Sequence, residues 1–271
     1  MDFQLLIWFV LAGIAGGFLA GLLGVGGGLV FIPVIQKIIE NKVPQEDVVA
    51  YTISNSLMII FVVGVSSFAK QKKLKNTDLK ASLITGFSAV ISSLLVTYLL
   101  KITNTTDMAL FKTFFSIVML LTIARVLYGQ IKNKVENDVL KMPAYPKFVP
   151  AGLLAGVITS LTGLGGGVIM VPYFNKILKL PVKFSTGLSL SVIPIIALPL
   201  IVFYLFSSPQ KEVIEGFQTG YIMWTAVLPI SLFAAIASQY GIRVSQKLKS
   251  SVVMMIFLLF AIFTLVRVWI F

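Results

Sequence analysis

Cysteine and histidine are both absent from this sequence of 271 residues. Without them the side chains can form no disulfide, no zinc site of the Cys/His type and no imidazole-based proton relay. Charged residues are also scarce, at 12%, and none of the 10 acidic ones lies in the middle of a long apolar run. Neither a carboxylate pair nor a nucleophile–base pair is therefore present in those runs. The sequence predicts no enzyme, no bound metal and no cofactor.

Apolar residues dominate what remains. They make up 58% of the chain, and the mean hydropathy of +0.98 is far above that of a soluble protein. Runs of about 20 apolar residues, long enough to cross a bilayer as a helix, recur along the chain. The net charge of +12 comes from lysines between these runs, which is typical of cytoplasmic loops rather than of a nucleic-acid-binding surface. The sequence predicts an all-α, multi-pass protein of the cell's inner membrane, with the lipid bilayer and not nucleic acid as its partner.

Two of the apolar runs are too short to cross a membrane comfortably. Residues 28–39 and 167–178 would span about 18 Å as helices, against a hydrocarbon core of about 30 Å. Each directly follows a glycine cluster, so we interpret each as the second arm of a helical hairpin or of a broken helix. The apolar runs lie at about 3–23, 28–39, 48–69, 79–100, 108–129, 148–162, 167–178, 184–206, 218–240 and 250–270.

The glycine clusters belong to a duplicated segment. Residues 12–33 and 151–172 both run from an Ala-Gly pair through a Gly-x-Gly-Gly-Gly cluster to a proline, 139 positions apart and without a gap. A second match, 137 positions apart, relates residues 50–54 to residues 187–191. The chain is thus predicted to hold two homologous repeats joined by a polar linker. The N-terminal repeat, the linker and the C-terminal repeat cover 1–130, 131–146 and 147–271.

The distribution of basic residues decides between two topologies. If each glycine-broken segment crosses the membrane once, the 22 basic residues divide into twelve and ten, which is no bias. If each is a hairpin that returns to its starting side, sixteen of the 22 lie on one side. The positive-inside rule favours the hairpins, with a cytoplasmic linker and both termini outside. Each repeat then consists of a Gly-broken hairpin and three transmembrane helices, and this odd number of crossings inverts one repeat relative to the other, as recurs in transporters.

Several motifs resemble those of one membrane protein family. They are the doubled glycine cluster, Gly187-Leu188-Ser189-Leu190, Gly220-Tyr221-Ile222-Met223-Trp224, Gly241-Ile242-Arg243 and Leu265-Val266-Arg267. With them the chain resembles, over essentially its whole length, the sulfite exporter TauE/SafE family of membrane anion permeases. The first half departs from the family pattern at residues 50–53, where Ala-Tyr-Thr-Ile replaces the frequent Gly-Thr-Ser-Leu. The resemblance implies a permease for a small sulfur-containing or organic anion, and it leaves the substrate open.

The consecutive glycines predict a break in each helix near the bilayer midplane. Unwinding at 24–28 and 163–167 frees backbone amides. The arms that begin at Gly28 and Gly167 then aim their N-termini at the centre, where their partial positive charge suits an anion. Close helix packing is the alternative role of such glycines, and we assign it to the outer small residues spaced by four. These are Gly13, Gly17, Gly21, Gly152, Gly156 and Ser160.

Hydroxyl and amide groups near the breaks complete the predicted binding site. They are candidates to donate hydrogen bonds to the oxygen atoms of an anion, whereas the alternative for any one hydroxyl is a bond to its own helix. Asn55 is the strongest individual candidate, because a buried amide is costly without a partner. The predicted substrate-binding residues are Gly26, Gly27, Gly28, Thr52, Ser54, Asn55, Thr162, Gly165, Gly166, Gly167, Ser189 and Ser191.

Together these features predict a transporter that moves a small anion by alternating access at a site between the two glycine breaks. The family resemblance favours a sulfur-containing oxyanion or an organosulfonate as the substrate. A channel-like anion pore and a non-transporting membrane assembly partner are the alternatives. The sequence leaves open the transport direction, the oligomeric state and whether Na+ or H+ is a coupling ion.

Overall fold

The computed structural model describes residues 3–39, 42–103, 108–132, 141–209 and 217–270. These residues form an all-α membrane protein, as the sequence predicts. One short strand pair, which was not predicted, is also present. The helices of the first half are α1 (Phe3–Leu23), α2 (Gly28–Ile39), α3 (Gln45–Lys73), α4 (Leu79–Thr103) and α5 (Met108–Lys132). Those of the second half are α6 (Val149–Thr162), α7 (Gly167–Pro172), α8 (Val182–Leu205), α9 (Trp224–Lys247) and α10 (Ser250–Ile270).

Three short elements complete the chain. A 3-10 turn, Tyr145–Phe148, leads into α6, and a π-helical turn, Tyr173–Ile177, extends α7. Strands β1 (Gln218–Thr219) and β2 (Ile222–Met223) pair antiparallel just before α9. The predicted linker, 131–146, overlaps two helical elements at its ends, since α5 ends at Lys132 and the 3-10 turn begins at Tyr145. Linker residues 133–140 lie outside the described ranges.

Five helices among the described residues are long and apolar enough to cross a membrane. They are α1, α3, α4, α8 and α9. Helices α5 and α10 contain shorter apolar stretches, Phe111–Leu121 and Ser251–Phe263, and α2 and α7 are too short to cross. The long helices are thus the ones that can cross the membrane, and the short helices must pack among them.

The short helices fold back on the helices that precede them. In the first half α2 returns along α1, because a Cβ atom on Gly16 would lie only 2.2 Å from a ring atom of Phe31. In the second half Gly166 faces Ala155 of α6, with 2.7 Å between the Cβ positions. Only a sharp reversal of the chain brings such residues together. The Gly-broken hairpins that the sequence predicts are therefore present.

Helix α1 packs against α9 of the other half through its small residues. Gly13, Gly17 and Gly21 face Ile230, Ala234 and Ser238, in that order. Since both series rise together, the two helices run in the same direction. A Cβ atom on Gly17 would lie 2.2 Å from the carbonyl oxygen of Ala234, so only glycine permits this approach. The packing role predicted for the outer glycines is confirmed here.

Helices α6 and α4 make the equivalent contact with the halves exchanged. Gly152 faces the carbonyl of Thr85, and Gly156 faces that of Ala89, with 2.2 and 2.1 Å to the respective Cβ positions. Ser160, the third small residue, donates a hydrogen bond to the carbonyl of Ser93 at 2.8 Å. These helices also run in the same direction. Each half therefore packs its first helix against the fourth helix of the other half.

Helices α3 and α8 cross at the centre of the bundle. Gly64 of α3 meets Pro194 of α8, with 2.7 Å between its Cβ position and the proline ring. Helix α3 runs in the direction of α9, because Asn55 bonds Met223 near one end and Lys70 bonds the carbonyl of Gln239 near the other. Helix α1 packs against α9 in the same direction, so α1, α3 and α9 form one parallel set.

Helix α8 belongs to a second parallel set. Gly86 of α4 faces Ile195, and the Lys101 ammonium, near the end of α4, lies 5.2 Å from the ring centre of Phe203. Helices α4, α6 and α8 thus share one direction. The five-residue turn between α3 and α4 reverses the chain, so this set opposes α1, α3 and α9.

The connecting segments gather at two opposite ends of the bundle. At one end Lys183 donates from Nζ to the carbonyl of Gln246 at 2.8 Å, and Lys80 lies 4.4 Å from the ring centre of Tyr145. At the other end the start of α3 meets the strand pair. We call the first the lysine-rich end, made of residues 70–80, 141–148, 173–183 and 243–249. The second is the tyrosine end, made of residues 42–51, 204–209 and 217–223.

Replacing Gly17 by leucine is expected to separate α1 from α9. The new side chain meets backbone atoms of Ala234 that cannot move aside, and such overpacking costs about 2 kcal/mol or more. We expect a clearly lower midpoint of thermal unfolding in detergent. The control is Ala15→Leu, two residues earlier on the exposed face of α1, which should leave the midpoint unchanged. Equal midpoints for both variants would contradict the close α1–α9 contact.

Candidate functional site

The two glycine clusters form matching breaks in the backbone. In the first break (Gly24–Gly27) the φ angles of the first, third and fourth residues are +75°, +79° and +85°. In the second break (Gly163–Gly166) the same three positions have +70°, +74° and +70°. Residues with a side chain avoid this left-handed region, which costs them roughly 1–2 kcal/mol each. The first two of the three consecutive glycines in each cluster therefore serve conformation, as the sequence predicts, and the third, Gly28 or Gly167, begins helix α2 or α7.

The two breaks touch each other. A Cβ atom on Gly28 would lie 3.0 Å from Cα of Leu164 in the second break. In return, a Cβ atom on Gly167 would lie 2.7 Å from Cα of Val25 in the first break. The structure thus brings together the six predicted glycines, Gly26, Gly27, Gly28, Gly165, Gly166 and Gly167.

The meeting point lies halfway along the crossing helices. Gly26 and Gly165 each face both Ile60 of α3 and Ile193 of α8. These isoleucines are fully buried and lie near the midpoints of their helices. A region so enclosed by apolar side chains has a low effective dielectric, so dipoles and partial charges act more strongly there than in water.

Backbone amides are the principal polar groups at the meeting point. Val30 and Phe31 donate to the carbonyl of Gly27, at 2.9 and 3.1 Å, and Ile169 and Met170 donate likewise to that of Gly166. Six amides before them have no hydrogen-bond acceptor within the described residues: those of Gly26, Gly27, Gly28, Gly165, Gly166 and Gly167. Unpaired amides at the start of a helix carry a partial positive charge and bind anions without any cationic side chain.

Three hydroxyl groups border the breaks. Thr162 donates to the carbonyl of Ile158 at 2.7 Å and accepts a hydrogen bond from the amide of Leu164 at 3.3 Å. Ser56 donates to the carbonyl of Gly163 at 3.0 Å. Ser189 is fully buried, and its hydroxyl has no hydrogen-bond partner in the described part of the chain. Of the predicted hydroxyl residues, Thr162 and Ser189 thus lie at the breaks.

The remaining predicted polar residues lie away from the meeting point. Asn55 donates to the carbonyls of Tyr51 and Tyr221, at 2.7 and 2.8 Å, and accepts from the amide of Met223 at 2.8 Å. Ser54 also donates to the carbonyl of Tyr221, at 3.0 Å, and Thr52 to its own helix. Asn55 and Ser54 thus connect α3 to the strand pair at the tyrosine end. Ser191, on the opposite side, bonds the hydroxyl of Thr77 at 2.7 Å in the turn between α3 and α4.

The repeat in the sequence and the repeat in the structure differ in register between α3 and α8. The sequence match over residues 50–54 pairs Ser189 with Thr52. In the structure Gly24 faces Thr186 and Gly163 faces Ile53. The spatial counterparts are therefore 133 positions apart, which is one helical turn different from the sequence match. Apolar periodicity alone does not reveal such a turn, since both registers keep the same helix face.

Aromatic rings close the site toward the tyrosine end. The rings of Tyr51 and Tyr221 meet edge to face with centres 5.1 Å apart, and Tyr204 contacts Tyr221 at 6.1 Å. The Tyr221 hydroxyl donates to the carboxylate of Asp47 at 2.9 Å. Burial, followed by this hydrogen bond, raises the pKa of Tyr221, so the phenol stays a donor at any physiological pH.

A cleft approaches the site from the lysine-rich end. It is narrow and reaches Thr186, the residue that packs on Gly24. Its lining residues are Leu23, Val171, Pro172, Val182, Thr186, Val253 and Met254. The structure is therefore sealed by tyrosines on one side of the breaks and partly open on the other. No three acidic side chains among the described residues come together to hold a metal ion.

Comparison with known proteins agrees with these features. Residues 9–268 match the family described as sulfite exporter TauE/SafE. A probable membrane transporter protein of Methanocaldococcus jannaschii, MJ0441, is 27% identical over 256 residues, which are 92% of this chain and 90% of that protein. The probable membrane transporter protein YunE of Bacillus subtilis is 22% identical, over 91% of each chain. A probable membrane transporter protein of Haemophilus influenzae is 26% identical, over 96% of each. No solved structure matches significantly.

Replacing Asn55 by leucine is expected to destabilise the fold. The substitution leaves the carbonyl of Tyr221 and the amide of Met223 buried without their partner, at a cost of about 3 kcal/mol. The midpoint of thermal unfolding in detergent should fall in the absence of any anion. The control is Asn175→Leu, which removes a single hydrogen bond, to the carbonyl of Leu180, and should have a smaller effect. An Asn55→Leu protein of unchanged stability would contradict the structural role of this amide.

Proposed function

The chain belongs to the sulfite exporter TauE/SafE family and is a membrane transporter, and on that premise we propose that it carries a small anion across the membrane by alternating access between its two glycine breaks. A sulfur-containing oxyanion or an organosulfonate is the proposed substrate class, which rests on the family. The observation that carries the proposal is the contact between the two breaks, where six unpaired amides lie in an enclosed apolar region. An anion is the ligand that such groups favour.

The directions of the helices support an inverted arrangement of the two repeats. By order in the chain, α6 is the counterpart of α1, α8 of α3 and α9 of α4. Each of these pairs contains one member from each of the two opposed parallel sets. Inverted repeats place two similar half-structures around one central site, and an exchange of their conformations opens that site first to one side and then to the other.

The asymmetric closure of the site supports alternating access. Tyrosine rings lie between the breaks and one end, whereas a cleft approaches Thr186 from the other. A transporter in one of its states is expected to show such a difference, because its two barriers never open together. A continuous pore would need neither barrier to be so tightly packed.

The proposed topology places the lysine-rich end in the cytoplasm and both termini outside, in the inner membrane. The positive-inside rule is its basis. Basic residues line that end, with Lys80, Lys147 and Lys183 in close contact with the surrounding segments. In this orientation an inside-negative potential favours the exit of an anion by about 2.3 kcal/mol per charge at 100 mV, so export needs no coupling ion, and Na+ or H+ coupling would be required for uptake.

Reporter tags on the two termini test the topology. Both tags are expected to be accessible from outside intact cells, because each repeat crosses the membrane three times in the hairpin arrangement. A tag inserted in the linker after Lys134 should be accessible only after the membrane is permeabilised. A protected N-terminal tag would contradict the hairpin topology.

Purified protein in detergent and in proteoliposomes tests the function. Sulfite, thiosulfate, sulfoacetate, taurine and short carboxylates are each added in a thermal-shift assay, and at least one anion should raise the unfolding midpoint, because a ligand of the folded state stabilises it. The same anion should show counterflow in proteoliposomes. Flux without counterflow would identify a pore, and the absence of both binding and flux would identify an assembly partner.

A further inference from the structure

The two breaks are alike in backbone and different in their polar surroundings. We propose that the transported anion binds at the first break, between the Ser189 hydroxyl and the N-terminus of α2, and not at the second break, where the amide of Leu164 and the hydroxyl of Ser56 bond to the protein itself. This assignment rests on the proposed function and adds which half carries the ligand. Three independent differences between the halves support it.

The first difference concerns two serines in equivalent places. On α8, Thr186 packs on Gly24 and Ile193 on Gly26, so Ser189, three residues after one and four before the other, lies on the face toward the first break. On α3, Ile53 packs on Gly163 and Ile60 on Gly165. Ser56 has the same spacing from these residues as Ser189 has from its own pair. The two serines are therefore counterparts.

Only one of these serines is satisfied. Ser56 donates to the carbonyl of Gly163 at 3.0 Å. The hydroxyl of Ser189 is fully buried and has no partner among the residues that the structure describes, whereas neighbouring Ser191 and Thr186 bond their own helix. An unpaired hydroxyl in an apolar interior costs free energy. A hydroxyl kept in that condition at a helix break is ready to donate to a ligand.

The second difference concerns the amide inside each break. In the second break, the amide of Leu164 donates to the hydroxyl of Thr162 at 3.3 Å. The equivalent position in the first break, 139 residues earlier, is Leu23, whose side chain has no acceptor. Val25, the counterpart of Leu164, therefore has no such partner for its amide within the described residues. The first break thus keeps a donor free that the second break uses internally.

The third difference concerns the helices that follow the breaks. Helix α2 has 12 residues and stays α-helical past Pro33 to Ile39. Helix α7 has 6, and then it widens into the π-helical turn. Because the dipole at a helix start depends on aligned peptide units, α2 presents the stronger positive end. The anion therefore gains more at the first break.

The approach from the lysine-rich end leads to the same break. The cleft there is lined by Leu23, which ends α1, and by Thr186. A shallow neighbouring indentation shares Val182, Thr186 and Val253 with it and adds Lys183. A lysine beside the entrance raises the local concentration of anions. No part of this cleft is lined by residues 163–166 of the second break.

A pair of matched variants tests the assignment. Ser189→Ala and Ser56→Ala each remove one oxygen atom from equivalent positions, so neither introduces a clash. Sulfite is the first probe, with the other anions of the thermal-shift series as further probes. Loss of a hydrogen bond to a charged ligand weakens binding by about tenfold or more, and we expect this for Ser189→Ala with its anion-free stability unchanged or raised. Ser56→Ala should retain the affinity of the unmodified protein within about twofold, with a lower anion-free unfolding midpoint.

A third variant examines the amide difference. Leu23→Thr gives the first break the hydroxyl that Thr162 provides in the second, so the amide of Val25 gains an internal acceptor. Weaker anion binding is expected, and weaker still in combination with Ser189→Ala. If the unmodified protein binds an anion and the two alanine variants bind it equally well, or Ser56→Ala is the weaker, the assignment to the first break is overturned. If no anion binds the unmodified protein, the proposed function itself fails, and this assignment fails with it.

Discussion

The structure depends on one constraint, which is that peptide N–H and C=O groups inside a membrane protein must find partners or serve a ligand. A continuous helix meets this constraint by itself, whereas the glycine breaks leave backbone amides without partners at two places. Both places lie at the centre of the bundle, against Ile60 and Ile193, where lipid cannot reach them. The surrounding helices exist largely to make that location tenable, because only long helices packed around the hairpins can isolate unpaired amides from the bilayer.

Exchange of elements between the halves follows from the same constraint. A hairpin that packed only against its own half would expose one side to lipid. Here α1 lies against α9, and α6 against α4, each through glycines that bring two backbones within reach of each other. Neither half is therefore a complete packing unit, and the two hairpins meet inside the combined structure. In the proposed transport cycle, a rotation of one half carries its partner's hairpin along and so couples the two breaks.

The sequence predicted those features that repeat themselves. Hairpins, the outer glycine contacts and the conformational role of Gly26 and Gly165 all follow from a pattern present twice in the chain. The polar side chains were harder to predict, because a helical turn inserted at the start of α3 moves hydroxyls past the break without altering the apolar face. Asn55 illustrates the limit. Its buried amide needs hydrogen-bond partners, as we expect from its chemistry, but those partners are backbone groups of the strand-pair segment, 166 to 168 positions away.

Duplication creates a symmetric pair of breaks, but a transporter with one central site has no use for two equal ligand positions that share a boundary. Two anions lodged on touching breaks would repel each other strongly in such an enclosed region. Differences at two places, Thr162 against Leu23 and Ser56 against Ser189, are enough to give the two breaks separate tasks. In the proposed assignment the second break bonds the amide of Leu164 and the hydroxyl of Ser56 internally, and the first keeps the equivalent donors, the amide of Val25 and the hydroxyl of Ser189, for the anion. The symmetry of the scaffold then serves movement, while the asymmetry of a few side chains serves recognition.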